Sequence, residues 1–375
     1  MKIAIPKESA DGEFRVAASP ETVKKLTREG ISVVVQTGAG VASDISDDQF
    51  LTAGAETAAD FHTTTEKADV ILKIQPPSAE EIKSLPKGAC LVCLMNARTD
   101  SETLKAVAKA ELTCFAMELL PRISRAQNMD VLSSQSNLAG YKAVIDAVDA
   151  YKRAVPMMMT AAGMISPAQV LVLGAGVAGL QAIATAKRLG AVVTAFDVRP
   201  AVKEQVESLG ANFLEIEQIK QTETTGGYAK ELDEQSKKNQ EKALADILPK
   251  TDIVITTALI PGKKAPLLIT RDMLQSMKEG SVVFDLAAEQ GGNCYGTLYG
   301  KTENLYGITV LGQSNAASRL SASASPLFAK NLYNFIVPLI DKETLKLKID
   351  FDDEIYRASC VARNGEVLLK ENDDV

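Results

Sequence analysis

The chain is almost without histidine: His62, in FHTTTE, is the only one among 375 residues, and it lies in no motif. Imidazole is the side chain most often used to carry protons near neutral pH, so a reaction step that depends on one is not expected here. His62 itself reads as a surface or helix-capping residue. Basic runs are absent too, and the net charge is −7, which argues against nucleic acid or an anionic membrane surface as the partner. No stretch approaches the ~18 consecutive apolar residues of a membrane-spanning helix. The N-terminal MKIAIPKES begins a strand and has no signal-peptide layout, so a soluble, cytoplasmic protein is expected. Cysteine is sparse. Its five copies, an odd number, fit reduced thiols. Cys90 and Cys93 make a C-x-x-C in the apolar run CLVCLM, with neither a second pair nor histidines nearby, and read as core residues. No metal site is expected.

Apolar residues, by contrast, make up 46% of the chain, ample for the cores of two domains. One stretch organises the rest: residues 170–199, VLVLGAGVAGLQAIATAKRLGAVVTAFDVR. Val170 to Leu173 form a short run suited to a strand buried on both faces of a parallel sheet. Gly174, Gly176 and Gly179 follow at G-x-G-x-x-G spacing: the first for a tight turn, the second for close approach of a pyrophosphate, the third for packing of helix on strand. A helix from about Val177 to Leu189 would aim its N-terminal amides at the phosphates. Asp197 ends the next strand, about 20 residues past the turn, where a carboxylate accepts from ribose hydroxyls. A 2′-phosphate there would meet like charge, so NAD(H) is favoured over NADP(H), with Arg199 as the residue that could accommodate such a phosphate instead.

Elsewhere strands and helices alternate. KIAI, ISVVVQTG, DVILKIQPP, ACLVCLMN and LTCFAMELL read as strands, and Ser19-Pro20-Glu21 as a helix start. The polar stretch PRISRAQNMDVLSSQSNLAG (121–140) reads as a domain-crossing segment, a natural ligand site, with a capped linker helix as the plainer alternative. A helix is expected from about Leu138 to Ala154, then MMMTAAGMISPA as an apolar loop or helix whose methionines pack inward. Residues 218–239, containing TTGGYAK, read as a mobile surface loop of the kind that acts as a lid. DIVITTALIPG and GSVVFDLAAEQGG supply further strands whose ends border the ligand crevice, and SASPLFAKNLYNFIVPLI a helix that returns to the first domain. The fold class is α/β: two doubly wound Rossmann-like domains with a nucleotide cleft between them, 1–130 plus 320–375 and 131–319.

The runs PRISRAQNMDVLSSQSNLAGYKAVIDA, VLVLGAGVAGLQAIATAKRLGA with FDVR, TTGGYAKE, TDIVITTALIPGKKAP, DLAAEQGGNC and SPLFAKNL resemble the NAD(H)-binding component of proton-translocating (Si-face) NAD(P) transhydrogenase. The likeness spans essentially the whole chain, and the RAQ-MD-LSSQSNLAGY block is far more specific than the glycine motif. The resemblance implies a homodimer on the cytoplasmic face of the plasma membrane, held there by other subunits. One of these binds NADP(H) and exchanges hydride with this component; a membrane-spanning one moves protons. Because no membrane helix precedes Val375, the separate-subunit arrangement is expected. The resemblance also places Arg122, Gln127, Asp130 and Ser133 beside the nicotinamide, with Gln127 orienting the ring, and Ile123, Ser124 and Arg125 in the same loop. It puts Ala175 to Val177 on the pyrophosphate, Asp197, Val198 and Arg199 on the adenosine ribose, and Leu259 on the adenine side. Gly227 and Tyr228 match the family's mobile loop and Gln240 a position near the nucleotide. Direct hydride movement between two nicotinamides needs placement and exclusion of water rather than a proton carrier, in keeping with the missing histidines.

Alanine dehydrogenase, a related family, is the alternative. Arg15 in FRVAASP and Lys73 in VILKIQPP match its substrate-binding residues, but its acid/base histidine falls on Asn96 and its aspartate on Glu289. Asparagine cannot shuttle a proton at neutral pH. Arg15 and Lys73 therefore read as members of buried ion pairs at the domain interface. A third reading, a nucleotide-responsive interaction protein without turnover, gives no role to Gln127, Asp130 and Ser133.

Overall fold

The computed structural model describes residues 1–216, 233–260, 262–313 and 315–369. The chain divides into two compact units, Met1–Gln135 with the chain from Ala317 on, and Ser136–Ala316. In the first unit, β1 (Lys2–Ile5), β2 (Ser32–Gln36), β3 (Glu56–Ala58), β4 (Val70–Leu72), β5 (Cys90–Cys93) and β6 (Thr113–Ala116) pair in parallel in the order β6-β5-β4-β1-β2-β3. The strand order reverses at β1, which makes its carboxyl end a topological switch point. Continuous apolar runs such as Ile3–Ile5 and Cys90–Cys93 are buried on both faces, as a parallel sheet requires. β3 reads ETA, too short and polar to show a strand pattern. Helix α1 (Pro20–Arg28) starts as expected: the Ser19 hydroxyl accepts from the Thr22 amide and proline takes the first turn.

Helix α2 runs over Val131–Ala150, not from Leu138 to Ala154. The reason is local, since Asp130 Oδ1 accepts the Ser133 amide at 2.9 Å and so caps the helix well before its apolar part begins. The division between the units falls inside this helix.

The second unit opens with a departure from expectation. Met157–Ile165 is neither helix nor buried loop but an antiparallel hairpin, β7 (Met158–Thr160) with β8 (Gly163–Ile165). Its methionines do not pack inward: Met157, Met158, Met159 and Met164 are all exposed, Met159 at 80%. Then follow β9 (Gln169–Leu173), α3 (Val177–Arg188), β10 (Val192–Phe196), β11 (Asn212–Phe213), α4 (Glu234–Ile247), β12 (Ile253–Thr256), β13 (Val282–Asp285), β14 (Thr302–Leu305) and β15 (Ile308–Leu311). The sheet order is β11-β10-β9-β12-β13-β15-β14, parallel except for β14. The order reverses at β9, directly before the glycine turn. The loop expected over 218–239 ends sooner, because Asp233 caps α4 at the Ser236 amide and residues 234–239 are helical. Gly227 and Tyr228 lie outside the described residues. The β14–β15 hairpin turns at Tyr306-Gly307, both with positive φ (56° and 81°), the geometry of a two-residue hairpin turn.

Helix α5 (Ser321–Ile336) returns the chain to the first unit, where β16 (Cys360–Arg363) adds antiparallel to β6 and β17 (Glu366–Val367) to β16. Phe335 of α5 meets Phe115 of β6 and Tyr356 edge-to-face, each pair with centroids 5.3 Å apart.

Candidate functional site

In the second unit the three glycines do three different things. Gly174 turns the chain at φ +97°, and a Cβ on it would lie 2.5 Å from Thr257 Oγ1. A Cβ on Gly179 would lie 1.9 Å from the Gly174 carbonyl oxygen, so α3 can reach the strand only without a side chain there. Gly176, the residue before α3, has ordinary dihedrals (φ −75°, ψ −167°) and a Cβ on it would meet nothing nearer than Arg199 Nη2, at 3.9 Å. Packing therefore does not require glycine at 176. The open space above it, at the unshielded N-terminus of a 12-residue helix with no side-chain cap, fits a pyrophosphate.

Asp197 stands at that turn. Its Oδ2 accepts from the Ala175 amide at 2.7 Å, while Oδ1 accepts from the Arg199 amide (2.8 Å) and Nε (2.9 Å), and Arg199 Nη2 lies 2.8 Å from Oδ2. The acid and arginine read separately from sequence thus form one planar pair, with Val198 half-buried between them. Two contributors carry no signal in the sequence. Gly140 of α2 permits close packing on α3, since a Cβ there would sit 2.0 Å from the Ala178 oxygen. Thr257, just after β12, donates its hydroxyl to the Gly174 carbonyl at 3.1 Å. Leu259 follows on the same segment, 38% exposed. Gln240 is buried within α4.

In the first unit the polar block is a 3-10 helix, Ser124–Met129, leading into α2. Ala126 and Met129 turn into the core while Arg122, Ser124, Arg125 and Gln127 are exposed and Ile123 is half-buried. Asp130 and Ser133 are brought together, the Ser133 hydroxyl donating to Asp130 Oδ2 at 2.5 Å. Arg125 grips Asp353 with two 2.9 Å hydrogen bonds; the pairing holds the Asp353 carboxyl below its usual range and raises the arginine. From α5, Asn331 Nδ2 donates to the Asn128 carbonyl at 2.9 Å and Asn334 Nδ2 at 2.8 Å, which fixes the block against that helix.

The residues of the alternative reading are also in this unit. Arg15, 4% exposed, donates to both oxygens of Glu13 and to Gln135 Oε1, and lies over the Phe328 ring. Lys73, 1% exposed, pairs with Glu8 at 3.3 Å and Glu81 at 3.8 Å. Burial pushes the Glu8 carboxyl above its usual range, opposed by Lys73 and the Ile74 amide. Both cations are thus members of buried ion pairs. Asn96 sits exposed in the left-handed region (φ 51°), its carbonyl accepting from Thr99 and Asp100, and Glu289 is exposed. His62 is exposed. All five cysteines are buried and unpaired; burial pushes up the Cys90 and Cys93 thiols, and no cluster among the described residues could hold a metal.

Two doubly wound sheets with an open glycine turn and an adjoining acid define a Rossmann-like oxidoreductase of the NAD(P)-binding class. Residues 4–139 match the family model described as alanine dehydrogenase/PNT, N-terminal domain, and residues 143–370 the corresponding C-terminal domain. The first of the polypeptides that make up NAD(P) transhydrogenase subunit alpha in Rhodospirillum rubrum is 54% identical over 375 residues, 98% of each chain, and its counterpart in Rickettsia prowazekii 45% over 372 residues, 98% of this chain and 96% of that one. A transhydrogenase structure from Sinorhizobium meliloti superposes with a TM-score of 0.90 at 50% identity, covering 98% of this chain and 100% of that one. An alanine dehydrogenase from Halomonas elongata is 31% identical over 378 residues, 99% of this chain and 95% of that one. The chain belongs to the alanine dehydrogenase/PNT family, among its transhydrogenase alpha subunits. No helix among the described residues is long and apolar enough to cross a membrane.

Proposed function

We propose that this chain is the NAD(H)-binding component of proton-translocating, Si-face NAD(P) transhydrogenase, with residues 136–316 as the nucleotide domain. The observation that carries the reading is the glycine turn with an open Gly176 and the Asp197–Arg199 pair beside it. The amides from Ala175 to Val177 hold the pyrophosphate, and Asp197, with Val198 and Arg199, takes the adenosine ribose. The carboxylate, already facing the turn, disfavours a 2′-phosphate and selects NAD(H). Leu259 lies on the adenine side, with Gln240, Gly227 and Tyr228 contributing near the nucleotide.

A bound nicotinamide supplies hydride chemistry at its C4 atom; this chain supplies position. Arg122, Ile123, Ser124, Gln127, Asp130 and Ser133 line the nicotinamide side, and Gln127, exposed on a rigidly anchored 3-10 helix, orients the carboxamide. Asp130, besides capping α2, fixes the Ser133 hydroxyl, and Arg125 holds the block through Asp353. No imidazole is needed. The exposed apolar hairpin β7–β8 supports the homodimer, since a contiguous apolar surface favours association. Partners are an NADP(H)-binding subunit and a membrane-spanning subunit, and the chain is placed peripherally on the inner face of the plasma membrane through them.

Stopped-flow absorbance of the NADH-loaded chain, mixed with an NADP-loaded partner component, tests this reading, with pyruvate, ammonia and NADH assayed alongside. Rapid NADP reduction without pyruvate turnover is expected. Gln127→Asn is expected to slow transfer by about 10²-fold, with NADH affinity within about twofold, because a small misplacement of the reacting ring is costly. Full transfer by that variant would remove Gln127 from its role, and pyruvate turnover by the chain alone would move the argument to alanine dehydrogenase.

A further inference from the structure

Asn293, in EQGGNC, is wholly buried in the second unit and ties together both ends of one segment. Its Nδ2 donates to the Ala258 carbonyl at 2.9 Å and to the Pro266 carbonyl at 2.8 Å, while its Oδ1 accepts from the Ala258 amide at 3.1 Å. A carboxamide is the neutral side chain that presents two donors and an acceptor in one plane. Aspartate, of the same shape, has no donor when ionised and would set a negative charge against two carbonyl oxygens.

Asn293 is itself held from below. Its backbone amide donates to Asp285 Oδ2 at 2.7 Å. Asp285, the fully buried last residue of β13, also accepts from the Cys294 and Ala287 amides and from the Thr256 and Thr297 hydroxyls. The turn that brings Asn293 there passes Gly292 at φ +79°, where a Cβ would lie 2.8 Å from Asp285 Oδ2. The segment that Asn293 grips leaves the sheet beside the glycine turn, because Thr256 pairs with Leu173 across β12 and β9. Thr257, next to the gripped Ala258, donates to the Gly174 carbonyl.

We propose that Asn293 is a positioning residue for the nucleotide: it sets the Ala258 end of the segment flanking the glycine turn and thereby the affinity for the adenosine-diphosphate half. The inference rests on the nucleotide-site reading above. It acts on one half of the ligand, since all the groups it orders stand at the turn assigned to the pyrophosphate and adenosine.

The test is the dissociation constant of NADH, ADP-ribose and reduced nicotinamide mononucleotide for the full chain and for Asn293→Asp, with a thermal melt of each. NADH and ADP-ribose are expected to weaken together by about tenfold or more, the consequence of a buried amide's lost hydrogen bonds, while the mononucleotide is unchanged. If the aspartate variant does not fold, Asn293→Ser, which keeps one donor, must show the same split. Equal weakening of all three ligands, or unchanged affinities with only a lower melting temperature, would overturn the proposal. Failure of the unsubstituted chain to bind NADH and ADP-ribose would instead overturn the nucleotide-site reading on which it rests.

Discussion

The two units share a strand order and differ in what they place at its reversal. In the second, β9 is followed by Gly174 and β12 ends in Thr256, and the switch point is spanned by a hydroxyl donating to a carbonyl, Thr257 to Gly174. In the first, β1 ends at Ile5 and β4 at Leu72, and the same place is spanned by an ion pair, Glu8 with Lys73, both nearly inaccessible. Pro6-Lys7-Glu8-Ser9 stands where the other unit has Gly174-Ala175-Gly176-Val177. One crevice is therefore furnished with this chain's own charges and the other with bare amides. Open parallel sheets offer a binding crevice at such a point whether or not it is used; here the side chains at the turn decide which one can take an anionic ligand. A cavity of about 160 Å³ persists beside the charged crevice, lined by Lys7, Glu8, Glu13, Phe14, Arg15 and Gly38 among others.

The greatest change should come from removing the cation of the filled crevice. Lys73→Met leaves Glu8 buried without its cation, and a buried pair broken on one side costs about 3–5 kcal/mol. Denaturant unfolding should show that loss, with NADH affinity of the folded protein unchanged. A cost below about 1 kcal/mol would mean that solvent reaches Glu8 and that the crevice is not filled.

A smaller effect separates packing from binding at the open crevice. Gly179→Ala drives a methyl against the Gly174 carbonyl and should cost about 1–3 kcal/mol as the helix is pushed off the strand, with nucleotide binding lost alongside. Gly176→Ala meets no neighbour nearer than 3.9 Å. It should leave stability within about 0.5 kcal/mol yet weaken NADH by about tenfold or more, because the methyl occupies the pyrophosphate's approach. Melting curves and NADH titrations of both variants check this; undiminished NADH affinity in Gly176→Ala would detach the glycine turn from phosphate binding.

What is legible in the sequence follows the range of the interactions. The glycine turn is readable because each glycine answers to a partner within a few residues or to a ligand, and Ser19-Pro20-Glu21 because a cap is a local hydrogen bond. Gly140, Thr257 and Asn293 are not, since their partners Ala178, Gly174 and Ala258 lie 38, 83 and 35 residues away and only the fold unites them. The Asp130 cap is legible in principle as D-x-x-S, but the apolar periodicity that begins later draws the expected helix start to Leu138. MMMTAAGMI misleads because apolar composition implies burial, whereas here it clothes an exposed hairpin. The glycine motif leads to a nucleotide-binding fold; the place of Gln127 comes from resemblance, since an exposed glutamine on a 3-10 helix has no local signature.

The finest difference between the units lies in two buried carboxylates. Asp285 in the second is met by three amides and two hydroxyls, whereas Glu118 in the first accepts from the Met95 amide at 3.1 Å and the Ala97 amide at 2.9 Å, holding the turn that carries Asn96. Burial raises Glu118 above the ordinary value of 4.5 despite those amides. The folded protein therefore keeps a proton on it that the unfolded chain has released, and this contribution to stability is present at low pH and lost as pH rises from about 4.5 through the raised value. Glu118→Gln cannot titrate. The difference between the stability profiles of the two proteins should thus move in the variant's favour as pH rises across that window and level off above it. A difference that stayed flat, or moved the other way, would show Glu118 to be as well satisfied by its donors as a solvated carboxylate is by water.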